Sequence, residues 1–142
     1  MSNPKDPRGV RNCNPLNIVR GSNWKGLRKE QTDPRFCQFI SMQYGWRAAL
    51  IILRNYINGM NGKRPPCDTS EKIINRWAPP VENNTSAYIK CVSAAVGIDM
   101  RTRIRWQDRV VICALVKAMA FQECGRLFDI EEIYSVYDML SE

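Results

Sequence analysis

The sequence predicts a mainly α-helical single domain with a small β-element near the N-terminus, and three observations predict it. Beyond residue 42, five segments repeat apolar residues at helical spacing between capping residues, glycines or prolines. From Val110 to Phe121 the chain is apolar except for Lys117, as expected of a helix enclosed on nearly all sides. Before residue 41, proline, glycine and asparagine interrupt every apolar run and leave room only for short strands.

Taken in order, residues 1–7 read as a polar lead-in and residues 8–142 as one domain. Asn14-Pro15 imposes an extended residue before the proline. Leu16-Asn17-Ile18-Val19 then reads as a strand, Gly21-Ser22 as a turn, and Phe36 to Ile40 as the partner strand. The first long helix runs from Gln43 to about Asn58, with Tyr44, Ala48, Ile51, Ile52 and Tyr56 on one face and Gly59 as its stop. Residues 62–66 form a loop. Asp68-Thr69-Ser70-Glu71 is a capping box that opens a short helix, and Pro79-Pro80 keeps it from passing Trp77. Asn84 or Thr85 caps the next helix, which carries Tyr88, Ile89, Val92 and Val96 inward and ends at Gly97. Residues 107–124 are the central element. A second capping box, Asp129-Ile130-Glu131-Glu132, starts a final helix with Ile133, Val136, Tyr137 and Leu140 inside. The pattern gives five helices around a buried one, with a small β-rich lobe in front.

Composition narrows the function classes. At 142 residues, 44% apolar and 25% charged, the chain can bury a core without metals or disulfides. No apolar run reaches the length of a membrane span, and the polar, proline-rich N-terminus lacks the pattern of a secretory signal. A product synthesised in the cytoplasm would therefore need another delivery route to reach a periplasm or cell wall. The net charge of +7 is concentrated in residues 1–66, which hold 12 Lys or Arg against 3 acids. That half fits either a polyanionic partner or a solvated basic surface. No helix-turn-helix, RNP or zinc pattern accompanies it, so nucleic acid is an unfavoured partner. The six cysteines contain no CxxC pair and read as packed thiols, with disulfides after release left open. Histidine is absent. Zinc hydrolases and imidazole-assisted Ser or Cys hydrolases are thereby disfavoured, whereas glycoside cleavage can run on carboxylates alone. No phosphate loop, dinucleotide fingerprint or metal-ligand cluster is present, so no cofactor or metal is expected.

Two carboxylates are candidates for catalysis. Glu123 falls on the helical stripe of Ile112, Val116 and Met119, two residues before the helix end predicted at Gly125. Apolar neighbours and the negative end of the helix dipole both disfavour a charge there, which is the condition for a glycosidic general acid. The alternative is a glutamate that simply emerges into water. Glu82, between Pro80 and Asn83, suits either a base or oxocarbenium stabiliser, or a helix cap without chemistry. If both act, a separation of about 5 Å would mark a retaining mechanism and about 6.5–9.5 Å an inverting one. A lytic mechanism with one glutamate also remains open. Asn12, Asn14 and Asn17 offer amides to sugar groups or to their own Pro15 turn. Trp24, Trp77 and Tyr88 are either sugar-stacking rings or core.

Arg8-Gly9-Val10-Arg11-Asn12-Cys13-Asn14-Pro15-Leu16-Asn17-Ile18 resembles the RGIRNNNPGNI opening of a family of phage virion and prophage proteins. The resemblance continues through Trp24-Lys25-Gly26, Phe36 to Phe39, Tyr44 to Ala48 and Ile73 to Thr85, which includes WAPPVENNT. It closes on Ala118 to Gly125, similar to the family's AMIRHENG. Cys13 and Cys124 stand where that family usually has Asn, and Gln122 where His is common. The family is similar in turn to lysozyme-like wall enzymes, in which a comparable NPxNI…WxG…FxxF…YGxRA run follows the glutamate helix. Here the comparable helix comes last, which implies a circularly permuted lysozyme-like domain with Glu123 in the acid's place.

The resemblance implies a hydrolase of peptidoglycan glycan strands: a muramidase, lytic transglycosylase or glucosaminidase. Asn14, Asn17, Trp24, Phe39, Trp77 and Tyr88 would be its substrate-binding residues. It also implies virion or secretion-machine partners and action at the wall or in the virion. A virion structural or wall-binding protein that has lost catalysis is the alternative, motivated by Gln122 and Cys124. A basic nucleic-acid-binding protein is the third.

Overall fold

The computed structural model describes residues 4–81 and 83–141. The fold is mainly helical, as predicted. Its elements are α1 (Arg8–Arg11), α2 (Met42–Ile57), α3 (Gly59–Gly62), α4 (Ser70–Trp77), α5 (Thr85–Val96), α6 (Arg109–Cys124) and α7 (Ile130–Leu140). The five long helices fall within about two residues of their predicted bounds. The element α3 is one left-handed turn rather than a helix: Gly59, Met60, Asn61 and Gly62 all have positive φ. Among the described residues, no helix is long and apolar enough to cross a membrane.

The helix ends follow their capping chemistry. Thr69, not Asp68, caps α4 by accepting from the Lys72 amide at 3.1 Å. Asn84 accepts from Ala87 N and Asp129 from Glu131 N at the starts of α5 and α7. Both α5 and α6 stop on left-handed glycines, Gly97 and Gly125.

Helix α6 is the core. Ile112, Leu115, Val116 and Met119 are fully enclosed, and each contributes about 1.5–3 kcal/mol by leaving water. The helix is less enveloped than its composition predicts, because Val110 is 63% and Phe121 42% exposed. Helices α5 and α7 flank it, α2 packs on α7, and α4 packs on α5. On α2 the buried face is also rotated from the predicted one. Trp46, Leu50, Leu53 and Ile57 form its enclosed stripe, while Tyr44, Ile51, Ile52 and Tyr56 are half-buried. Two competing apolar stripes run along this helix, and Trp46 decides between them by standing edge-on to Phe128 at 5.1 Å.

The β-element is smaller than predicted. Among the described residues only two antiparallel bridges form, Val19 with Phe36 and Leu27 with Phe39. Asn17 adopts φ 52°, a left-handed conformation that a strand does not tolerate, so pairing starts only at Ile18.

Polar side chains hold this lobe together instead. Arg8 grips the buried Asp33 through Nε (2.6 Å) and Nη2 (2.5 Å) and lies over the Phe36 ring at 4.6 Å. Asp33 also accepts from Asn12 Nδ2 and from the Arg35 and Phe36 amides, all at 2.9 Å. This arrangement, with Arg8 foremost, holds its carboxyl well below the usual carboxylate range. Gln38 Nε2 donates to Asn12 Oδ1, and its Oε1 accepts from the Thr32 and Asp33 amides.

Gly9 is where the lobe meets α6. A Cβ there would lie 2.5 Å from Cys124 Sγ and 2.8 Å from the Asn14 carbonyl. Only glycine permits so close an approach.

Candidate active site

Glu123 is brought to a surface groove at the end of α6, where three segments distant in sequence converge on it. From the N-terminal lobe, Asn17 Nδ2 reaches Glu123 Oε1 at 3.3 Å and its backbone carbonyl at 3.4 Å. From the last residue of α4, the Trp77 indole N–H donates to Oε2 at 3.4 Å. From the first turn of α5, the Tyr88 hydroxyl donates to Oε2 at 3.0 Å. The contacts at 3.3–3.4 Å are at the long end of hydrogen bonding.

Each donor is placed by local sequence. The left-handed backbone at Asn17 is tolerated by asparagine better than by most residues, and it turns the side-chain amide toward α6. Trp77 ends its helix because the Pro79-Pro80 segment follows. That loop is closed by the Thr85 hydroxyl donating to the Ala78 carbonyl and by Asn83 donating to the Pro79 carbonyl. Burial, followed by the charge of Glu123, holds the Tyr88 hydroxyl far above its ordinary range. Tyr88 therefore keeps its proton at every working pH and serves as a donor.

The groove beside Glu123 has a volume of about 330 Å³. Asn17, Phe36, Tyr56, Trp77 and Asn83 are among the residues that line it, with Arg35 on the lobe side. Its size suits one or two small rings rather than a buried cofactor. Among the described residues, Glu123 is the only carboxylate lining it. Glu82, the second predicted catalytic acid, lies outside the described residues.

The structure separates the predicted substrate residues into two groups. Asn17, Trp77 and Tyr88 gather at Glu123. Asn14 and Phe39 do not, because both are fully enclosed. The Asn14 amide donates to the Ile18 and Cys37 carbonyls and its oxygen accepts from Ile18 N, so the side chain braces the turn and has nothing to offer a ligand. Phe39 fills the core beneath the lobe. Trp24 is half-buried against that core and away from the groove.

The expected apolar stripe of Ile112, Val116 and Met119 is enclosed, with Glu123 at its end. The carboxylate itself leaves the stripe and meets N–H and O–H donors.

The two departures from the resembled motif fall elsewhere. Gln122 is exposed and lines a separate groove on another face of α6, with Phe121, Leu127 and Cys91. Cys124 is buried, donates to the Pro15 carbonyl at 3.2 Å, and has its thiol pushed up to about 11, first by burial and then by Glu123.

Sequence reasoning did not single out Arg35, Phe36, Tyr56 or Asn83. Tyr56 read as one of several inward helix positions, Phe36 and Asn83 fell inside the resembled motifs without a role of their own, and nothing local marks Arg35.

Fold and site together define a small helical domain whose core helix ends in a glutamate presented to an open groove by three remote donors. No protein-family model matches the chain. Over 122 residues it is 36% identical to Protein P5 of Pseudoalteromonas phage PM2, an alignment covering 83% of this chain and 71% of that protein. The chain belongs to the family of that phage protein.

Proposed function

We propose that this protein cleaves the glycan strands of peptidoglycan, with Glu123 as the proton donor to the glycosidic oxygen. The observation that carries the reading is the triple fixation of one carboxylate at a groove wall by Asn17, Trp77 and Tyr88. In this reading Trp77 and Tyr88 hold Oε2, and Oε1 faces the scissile bond beside Asn17. Once the proton has passed to the leaving oxygen, the same donors stabilise the carboxylate that remains. The open, polar groove suits a sugar chain passing through, and the rings of Trp77 and Phe36 offer flat surfaces for its apolar faces.

A lysozyme-like domain with permuted order is part of the same proposal. Its support is that the chain's first and last thirds meet here. Besides the Asn17–Glu123 contact, Cys124 binds the Pro15 carbonyl and Arg126 pairs with Asp6 at 3.0 Å. Delivery to the wall as a virion component agrees with the kinship to a phage protein.

The test is digestion of purified peptidoglycan by the wild-type chain and by Glu123→Gln, with product ends read by mass spectrometry. The glutamine variant should fold and fail to release fragments. Reducing muramic acid, anhydro-muramic acid or reducing glucosamine at the new ends would name the bond and mechanism. Release at the wild-type rate by the variant would refute the proposal.

The same kinship favours a second reading, a virion component whose Glu123 cluster only ties α6 to its neighbours. That reading expects no fragments from either chain, with Glu123→Gln lowering stability.

A further inference from the structure

Two arginines, Arg35 in the groove wall and Arg76 behind the groove-lining ring of Tyr56, have no part in holding Glu123. Arg35 lines the groove wall, and its guanidinium lies over the Phe36 ring at 5.1 Å. Arg76, the residue before Trp77, lies over the ring of Tyr56 at 5.1 Å, and Tyr56 lines the same groove. Among the described residues neither is paired with a carboxylate. The contrast with Arg8 is informative. Arg8 lies over Phe36 as well, but its Nε–Nη2 edge is occupied by Asp33. Stacking engages the face of a guanidinium; Arg76 also bonds the Tyr56 hydroxyl, and the remaining N–H groups of each arginine can meet a planar anion.

A neutral glycan gives such groups little to bind, since its hydroxyls and acetamides would meet Asn17 and Asn83 and its apolar ring faces the aromatic side chains. We infer that Arg35 and Arg76 form a subsite for a carboxylate borne by the glycan strand, on its lactyl or peptide substituents. The inference rests on the reading of the groove as a glycan site and adds what distinguishes one glycan from another. The two guanidiniums come from opposite sides of the sequence, one from the lobe and one from α4. A strand with carboxylate substituents can thus be gripped at the groove while its backbone lies along Glu123. Each arginine is exposed, so each contact is worth about a five-fold change in affinity rather than hundreds.

Binding separates this inference from the reading beneath it. Glycan strands from purified sacculi are prepared in two forms, native and with every carboxylate capped as a methylamide by carbodiimide coupling. Sedimentation binding on ice is measured for wild type, for the Arg35→Gln, Arg76→Gln double variant, and for the matching double lysine variant. Wild type should prefer native strands by up to roughly twenty-five-fold, from two contacts of about five-fold each. The glutamine variant should bind both forms at the capped-strand level, and the lysine variant should recover part of the preference. Equal binding of both forms by wild type would overturn the subsite while leaving the glycan groove standing. So would a glutamine variant that keeps the preference. Failure of wild type to bind either form would overturn the glycan reading and the subsite with it.

Discussion

Asp33→Asn tests whether a polar network, rather than a strand ladder, holds the lobe that delivers Asn17 to Glu123. Asp33 accepts five hydrogen bonds: Arg8 Nη2, Arg35 N and Phe36 N on Oδ1, and Arg8 Nε and Asn12 Nδ2 on Oδ2. An asparagine that keeps its oxygen toward the two backbone amides places an NH2 group against Arg8 Nε and Asn12 Nδ2. Two donors then face a donor. Two charge-assisted bonds are lost, at about 1.5 kcal/mol or more each, for a total of about 3 kcal/mol. In a domain of this size that lowers Tm by roughly 8–12 °C. The pH dependence supplies the second arm. Because the folded carboxyl is depressed, its stabilisation is complete above the unfolded value of about 3.9 and fades as pH falls below it. Urea melts followed by circular dichroism should show a constant deficit for the variant from pH 7 to about pH 4 and a shrinking deficit below that. A loss under about 1 kcal/mol at pH 7, or a deficit that grows on acidification, would refute the network account.

Tyr88→Phe removes one donor to Glu123 Oε2 and leaves the ring in place. On the proposed mechanism it should keep the fold and slow glycan cleavage by about 10- to 100-fold, as expected for one hydrogen bond to a charged group; an unchanged rate would show that Tyr88 is only structural. The cysteines should differ in reactivity. Cys91 is exposed, whereas burial encloses Cys37, Cys113 and Cys124 and pushes Cys113 to about 12. Brief alkylation of the native protein near pH 8, read by mass spectrometry, should mark Cys91 first and reach those three only after denaturation. Native labelling of Cys113 at the rate of Cys91 would contradict the enclosed position of α6.

Helices were legible where one apolar stripe and one cap spoke for each, as in α5 with Asn84 and Gly97 or α7 with Asp129. They were less legible where the stripe was ambiguous. On α2, apolar residues occupy much of the circumference, so the Tyr44 face reads as inward, whereas the contact with Phe128 turns Trp46 inward. The strand forecast for Leu16 to Val19 failed on a single backbone angle. Asn17 reads as an ordinary polar residue in an apolar run, and its left-handed conformation appears only when the Pro15 turn packs on α6. Glu123 was legible because a lone acid at the end of an apolar helix is conspicuous. Arg35 and Asp33 were not, because each takes its meaning from a partner far away in sequence: the groove wall for one, Arg8 for the other.

These failures share a cause that bears on the site itself. Among the described residues the lobe forms only two bridges, so its shape is carried by side-chain bonds running from Arg8 through Asp33 and Asn12 to Gln38, and by the Asn14 clamp on Ile18. Asn17 sits one residue before that clamped position and cannot be aimed at Glu123 unless both hold. A ladder would fix a strand but not a left-handed residue at its start, whereas a clamp from Asn14 to the amide of residue 18 fixes both ends of the kink. The buried asparagines of the RGVRNCNP segment are thus the reason the groove has a defined wall. Substituting them would disable the site without touching it, through loss of the geometry at Asn17 rather than loss of any group that meets a ligand.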